Sequence, residues 1–187
     1  MANDRTADEE LARFLDWPSP VFGEVAWADV ETELGYRLPA DFKALMSRFP
    51  SGTFADKFNV VSPVQNRKSL DRFREESAML LNDLFEQRAF AAQEDDPDED
   101  VPYAIYPEPG GLIPWGSGDE HAYYWLATDL AEPDGWTVVY SLRRDTGWGA
   151  YPGTMSKFLL DATSGRYVDR MLYYQPSPEK RRFYPYA

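Results

Sequence analysis

The sequence predicts an α+β fold: an antiparallel sheet of about five to six strands with helices packed on one face, N-terminal helices before it and a C-terminal helix after it. Three observations carry this expectation. Apolar residues recur at helical spacing up to residue 90 and again over 154–163. Between residues 112 and 151 the pattern changes to short runs rich in aromatic and β-branched residues. Turn signals separate those runs, Ser117-Gly118-Asp119, Pro133-Asp134-Gly135 and Arg144-Asp145-Thr146, and their close spacing favours antiparallel meander connections over helical crossovers.

Taken in order, Asp8 to Asp16 reads as a short amphipathic helix with Leu11, Phe14 and Leu15 on one side, ended by Pro18 and Pro20. A second helix covers Trp27 to Leu34, where Trp27, Val30, Glu31 and Leu34 share a face and Gly35 stops the chain. Pro39 suits the first turn of a third helix, whose buried stripe is Phe42, Leu45, Met46 and Phe49. Phe54 to Val61 reads as one strand. Ser69 to Phe90 is the longest helical segment, with Leu70, Phe73, Leu80, Leu81, Leu84 and Phe85 at i, i+3, i+4 spacing. The run Glu94 to Asp100, EDDPDED, has the charge repulsion and the proline of an exposed loop. Leu112 to Gly116, His121 to Ala127, Trp136 to Leu142 and Gly147 to Tyr151 are the next four strands. A last helix covers Thr154 to Thr163, with Thr154 as N-cap and Gly165 as its end. One domain over 1–187 accommodates all of this, with a core over about 27–165, an insertion at 64–101 made of the long helix and the acidic loop, and an irregular tail at 175–187. An antiparallel sheet covered by helices on one side leaves its other face for a partner.

Composition narrows the function. The chain has 187 residues, no cysteine and a net charge of −13. Disulfides and thiolate metal sites are excluded, which suits a reducing compartment. The N-terminus lacks a basic and then apolar leader, and no apolar run reaches the roughly 20 residues of a membrane span; the expected location is the cytoplasm. Strong acidity argues against nucleic acid and anionic membranes as partners and favours a cationic one, although acidity also serves solubility alone.

No catalytic constellation emerges. His121 is the single histidine and lies in a strand-like aromatic run without a Gly-x-Ser-x-Gly elbow, so it reads as an ordinary structural or surface histidine. Asp96, Asp98 and Asp100 open like an EF-hand loop, but Val101 stands where that loop needs glycine and Pro107 where it needs the bidentate glutamate. Gly147-Trp148-Gly149 lacks the third glycine and the helix of a dinucleotide site. No cofactor, metal site or catalytic residue is expected, and the chain is read as a non-enzyme.

The series Trp27, Val30-Glu31, Leu34-Gly35 and Leu38-Pro39-Ala40-Asp41-Phe42-Lys43 resembles the opening of the SUKH superfamily. Gly52-Thr53-Phe54, the strand Phe58 to Val61, Gly111-Leu112-Ile113-Pro114-Trp115-Gly116, Trp125, Val138-Val139 and the helix Met155 to Leu160 are similar to its later elements in the same order. Two departures are Pro50, where a glycine is usual, and the length of the helix from Ser69 to Phe90. The resemblance implies a non-enzymatic immunity protein that binds and neutralises a cognate secreted toxin domain of the polymorphic, contact-dependent kind, a basic nuclease or deaminase, by occluding its cleft. The alternative it implies is an intracellular regulatory scaffold. In either case the chain would be a monomer or weak dimer that binds neither nucleic acid nor membrane. Candidate partner-binding residues are the acids Asp95, Asp96, Asp98, Glu99, Asp119, Glu120, Asp129 and Asp134, with Trp115 and Trp125 as aromatic anchors on the open sheet face.

Overall fold

The computed structural model describes residues 5–18, 25–94, 101–143 and 147–186. Among them are five α-helices and a seven-stranded sheet with antiparallel pairing throughout. The fold class is as expected, with more strands than the sequence suggested.

Helix α1 (Ala7–Phe14) places Asp8, Glu9 and Glu10 in its first turn, where carboxylates favour the helix dipole. Arg48, at the end of α3 (Ala40–Arg48), pairs with Asp8 at 2.5 Å and Glu9 at 3.1 Å, tying the two helices. Helix α2 (Trp27–Leu34) ends on Gly35 at φ +80°, a left-handed position that glycine takes without a Cβ penalty. One Glu31 carboxylate oxygen accepts from the Leu38 amide at 2.8 Å and from Lys43 Nζ at 2.7 Å. This bond pair sets the angle between α2 and α3. Phe42, Leu45, Met46 and Phe49 are all fully buried, as their spacing predicts.

The expected strand from Phe54 to Val61 is a hairpin. Strands β1 (Gly52–Phe54) and β2 (Phe58–Val60) pair as Gly52↔Val60, Thr53↔Asn59 and Phe54↔Phe58. Ala55 and Asp56 turn the chain at φ +53° and +56°. An alanine at positive φ is uncommon and gives no turn signature, which is why the reversal is hidden in the sequence.

Helix α4 (Arg67–Glu94) outruns its expected span at both ends. Asn66 and Ser69 hydrogen-bond reciprocally at its start: the Ser69 amide donates to Asn66 Oδ1 and the Asn66 amide to Ser69 Oγ, both at 3.0 Å. Strands β3 (Leu112–Ser117), β4 (His121–Leu126), β5 (Thr137–Leu142) and β6 (Trp148–Tyr151) form a meander, followed by α5 (Met155–Ser164). The sheet order is β6-β5-β4-β3-β2-β1-β7. The last member corrects the reading of an irregular tail: β7 (Phe183–Pro185) pairs along β1, and Phe183 packs on Trp17, Phe49 and Phe54 with ring centroids 4.7, 5.0 and 4.6 Å away. A Cβ on Gly52 would lie 2.4 Å from both the Phe183 ring and the Tyr184 carbonyl, so this close approach requires glycine there.

Alternation along the central strands feeds two cores. Ile113, Trp115, Tyr123, Trp125, Val138 and Tyr140 face α1, α3 and α5. Leu112, Ala122, Tyr124 and Val139 face the other way, onto Leu80 and Leu84 of α4 with Val101 and Ile105. The face expected to stay open is therefore covered at β3, β4 and β5. Helix α4 begins against the first core through Leu70 and Phe73 and continues over the second. Phe85, expected on its buried stripe, is exposed.

Two polar ties hold this arrangement. Thr154 stands at the N-cap of α5 but its side chain makes no capping bond. Asp41 of α3 does the capping: the Ser156 amide and hydroxyl donate to Asp41 Oδ2 at 2.9 and 2.7 Å. The second tie is His121, fully buried at the start of β4. Its Nε2–H donates to the Met171 carbonyl at 2.7 Å, and its Nδ1 accepts from Lys57 Nζ at 2.9 Å. A carbonyl only accepts and an ammonium only donates, so the ring is neutral with its proton on Nε2. Burial lowers the histidine pKa, and the Lys57 charge adds to this against the opposing pull of the Met171 carbonyl and Glu120.

Asp41→Ala removes the acceptor at the α5 N-terminus and is expected to cost about 1–2 kcal/mol in urea unfolding, with Ser156→Ala costing less and the pair non-additive. For His121 the native state binds fewer protons than the unfolded chain, so its contribution is complete above pH 6.5, the ordinary histidine value, and is lost as pH falls from there through the lowered native pKa. Urea midpoints at pH 7.5 and 5.5 should therefore differ more for the wild type than for His121→Gln; equal differences would remove His121 from the pH response.

Candidate protein-binding surface

The residues expected to meet a partner fall into four places. Asp95, Asp96, Asp98 and Glu99 lie outside the described residues. Trp115 and Trp125 are only 2% and 1% exposed. Trp115 stacks on Tyr123 at 5.1 Å, and Trp125 meets Phe42 edge-on at 5.1 Å and Trp136 at 6.0 Å. Both point into the core beneath the helices, so as anchors they are corrected: neither presents surface to a partner.

Asp119 and Glu120 are exposed on the β3–β4 turn. Asp129 and Asp134 are exposed on the β4–β5 connection, at the opposite end of β4. A strand of six residues spans about 20 Å, so the two acidic pairs form separate patches. The second pair also has structural work. Asp134 Oδ1 accepts from the Ala40 amide at the start of α3 at 2.6 Å, and Asp129 Oδ1 accepts from the Ala131 amide at 2.8 Å.

Sequence reasoning missed a groove between α4 and the β3–β4 turn. It is lined by Asp83, Glu86, Gln87 and Phe90 from α4, by Asp119, and by Arg143 just after β5. Arg143 pairs with Asp83 at 2.9 Å, so its charge is largely answered. Glu86 accepts from Asn82 at 2.7 Å one turn back. Phe90 is 53% exposed, unusual for so large an apolar side chain amid carboxylates. The signal available in the sequence was the set of apolar residues on α4 that fall off its buried stripe.

A half-buried polar cluster lies between β5 and the C-terminal segment. Tyr140 donates to Asp169 Oδ2 at 2.6 Å, the Tyr167 hydroxyl lies 2.8 Å from that of Tyr140, and the Met171 amide donates to Asp169 Oδ1 at 2.7 Å. Burial raises Tyr140 far above the ordinary tyrosine range, and its bonds to Asp169 and Tyr167 raise it further. Burial works to raise the Asp169 carboxyl as well, but the donors from Tyr140, Met171 and Tyr167 outweigh it and hold it below its usual value. Both shifts lead away from neutrality, so the cluster holds fixed protonation states and acts as a tie between β5 and the C-terminal segment. Among the described residues, no group of three or more His, Cys, Asp or Glu side chains is placed to hold a metal ion, and no helix is long and apolar enough to cross a membrane.

The residues resembling a known family do internal work here: Glu31 and Lys43 fix α2 against α3, Gly35 ends α2, Asp41 caps α5, and Phe42 fills the core. No curated protein and no solved structure matches the chain. The family model described as SMI1 / KNR4 family (SUKH-1) matches residues 23–161, from just before α2 into α5. By that match across most of its length, the chain belongs to the SMI1 / KNR4 family (SUKH-1).

Proposed function

We propose that this protein is an immunity protein that binds a cognate secreted toxin domain of the polymorphic, contact-dependent kind and neutralises it by occluding its cleft. The reading makes it a cytoplasmic, stoichiometric binder and not an enzyme. The observation that carries it is membership of a family associated with immunity proteins, joined to a net charge of −13. Toxin domains that cut or modify nucleic acid present basic clefts to bind phosphate. An acidic inhibitor approaches such a cleft under electrostatic attraction and competes with the substrate for the same cations. The polar side chains inside this protein support the same reading, since the buried His121 and the half-buried Tyr140–Asp169 cluster are engaged in structural bonds.

Charge supplies the rate of encounter more than the final affinity. A standard interface of about 800 Å² per partner supplies the rest through a few well-packed contacts.

The test is co-expression with the toxin domain encoded beside its gene. Cells should survive the toxin only when this protein is present, and the two chains should purify as a one-to-one complex. The association rate constant should fall at least about tenfold between 0.05 and 0.5 M salt while the dissociation rate changes little. Absence of both protection and complex overturns the proposal. A complex with housekeeping proteins of the host, and none with the toxin, would instead favour the regulatory-scaffold role.

A further inference from the structure

Helix α4 carries a second stripe outside its apolar packing. Met79, Asp83, Glu86 and Phe90 follow one another at i, i+4, i+7 and i+11, which places them on one side of the helix over about 16 Å. The buried stripe of the same helix, Phe73, Leu80 and Leu84, faces the cores. Met79 and Phe90 are 47% and 53% exposed, so the second stripe is apolar at its ends and acidic in the middle. At its C-terminal half it becomes one wall of the groove whose other wall is Asp119.

We infer that this α4 groove is the surface on which a basic protein partner docks, and that the partner inserts an arginine there. The inference rests on the toxin-binding reading and gives it a place. Charge complementarity selects the occupant. Among the described residues that line the groove, three are carboxylates, and the cation, Arg143, is already paired with Asp83. Glu120 adds a further negative charge next to Asp119. Glu86 and Asp119 offer acceptors to a guanidinium, and the exposed Phe90 ring offers a face for its flat side. Lysine would satisfy the charge but not the stacking, which is why arginine is specified. Met79, further along the helix, adds a flexible apolar contact of the adaptable kind.

The acidic residues at the far end of β4 do not compete for this role. Asp134 and Asp129 are hydrogen-bonded to backbone amides of their own chain and stand about 20 Å from Asp119.

The experiment compares two double variants that raise the net charge equally. Glu86→Lys with Asp119→Lys reverses the groove and leaves the Asp83–Arg143 pair intact. Asp29→Lys with Glu132→Lys reverses exposed acids on α2 and at the far end of the sheet. Binding to the purified neighbouring-gene toxin domain is measured by calorimetry, and folding of each variant by thermal melting. The groove double variant and Phe90→Ser should each weaken binding by at least about tenfold, with melting temperatures near wild type, while the distal double variant stays within about threefold. If wild type binds the toxin and the groove variants bind equally well, the groove assignment falls while toxin binding stands. If the distal variant loses as much as the groove variant, general charge explains binding and the groove assignment also falls. If wild type does not bind the toxin at all, the toxin-binding reading fails and the assignment fails with it.

Discussion

Strand β4 is buried on both faces, and most of what this protein can present to others follows from that. Tyr123 and Trp125 go to the core under α1, α3 and α5; Ala122 and Tyr124 go to the core under α4. Each large side chain so buried contributes about 1.5–3 kcal/mol relative to exposure. Uncovering either face to receive a partner would forfeit several such contributions at once. Binding is thereby confined to strand ends, turns and the outer sides of helices. The sheet face expected to be open is closed because one helix packs on both cores. The length of α4, Arg67–Glu94, lets it serve the first core at its start and the second beyond Leu80.

Much of the architecture was legible because local chemistry and tertiary packing agree. Gly35 and Gly165 end helices in left-handed positions, as glycines after apolar stripes do. The four strands between 112 and 151 fall within a residue or two of their expected bounds because turn residues bracket them. The misses share a cause: no local residue signature marks them. The β1–β2 turn uses Ala55 and Asp56 in a strained conformation held by the hairpin around it. Strand β7 is too short to show a period and exists because β1 offers it an edge and Phe183 an aromatic pocket. The cap on α5 comes from Asp41, distant in sequence, while Thr154, the local candidate, makes no capping bond.

The binding residues were harder to read than the fold, for a reason rooted in composition. With 32 acidic residues in the chain, sequence position alone cannot tell a structural carboxylate from a surface one. The structure separates them by what they touch. Asp8, Glu31, Asp41, Asp134, Asp161 and Asp169 accept hydrogen bonds that join separate elements of the chain, whereas Glu86 accepts from Asn82 one turn away on its own helix. Screening then subdivides the remainder. The Debye length at physiological salt is about 8 Å, whereas the ends of β4 stand about 20 Å apart. A docked partner therefore feels one end or the other, although the whole charge steers its approach.

That division bears on how one scaffold can serve different partners. The residues on which the family resemblance rests are committed to contacts within the chain: Glu31 to the Leu38 amide and Lys43, Asp41 to α5, Phe42 to the aromatic core between Trp27 and Trp125. None of these can be reassigned to a partner without loosening a helix. Conversely, Met79, Glu86, Phe90 and Asp119 are exposed and lie outside those ties, so they can change without disturbing the fold. A binding protein whose target varies needs this separation, because stability and specificity otherwise compete for the same side chains. The ties that hold the sheet and helices together are thus separate from the outer stripe of α4 and the turn beside it, where the proposed docking surface would select its partner.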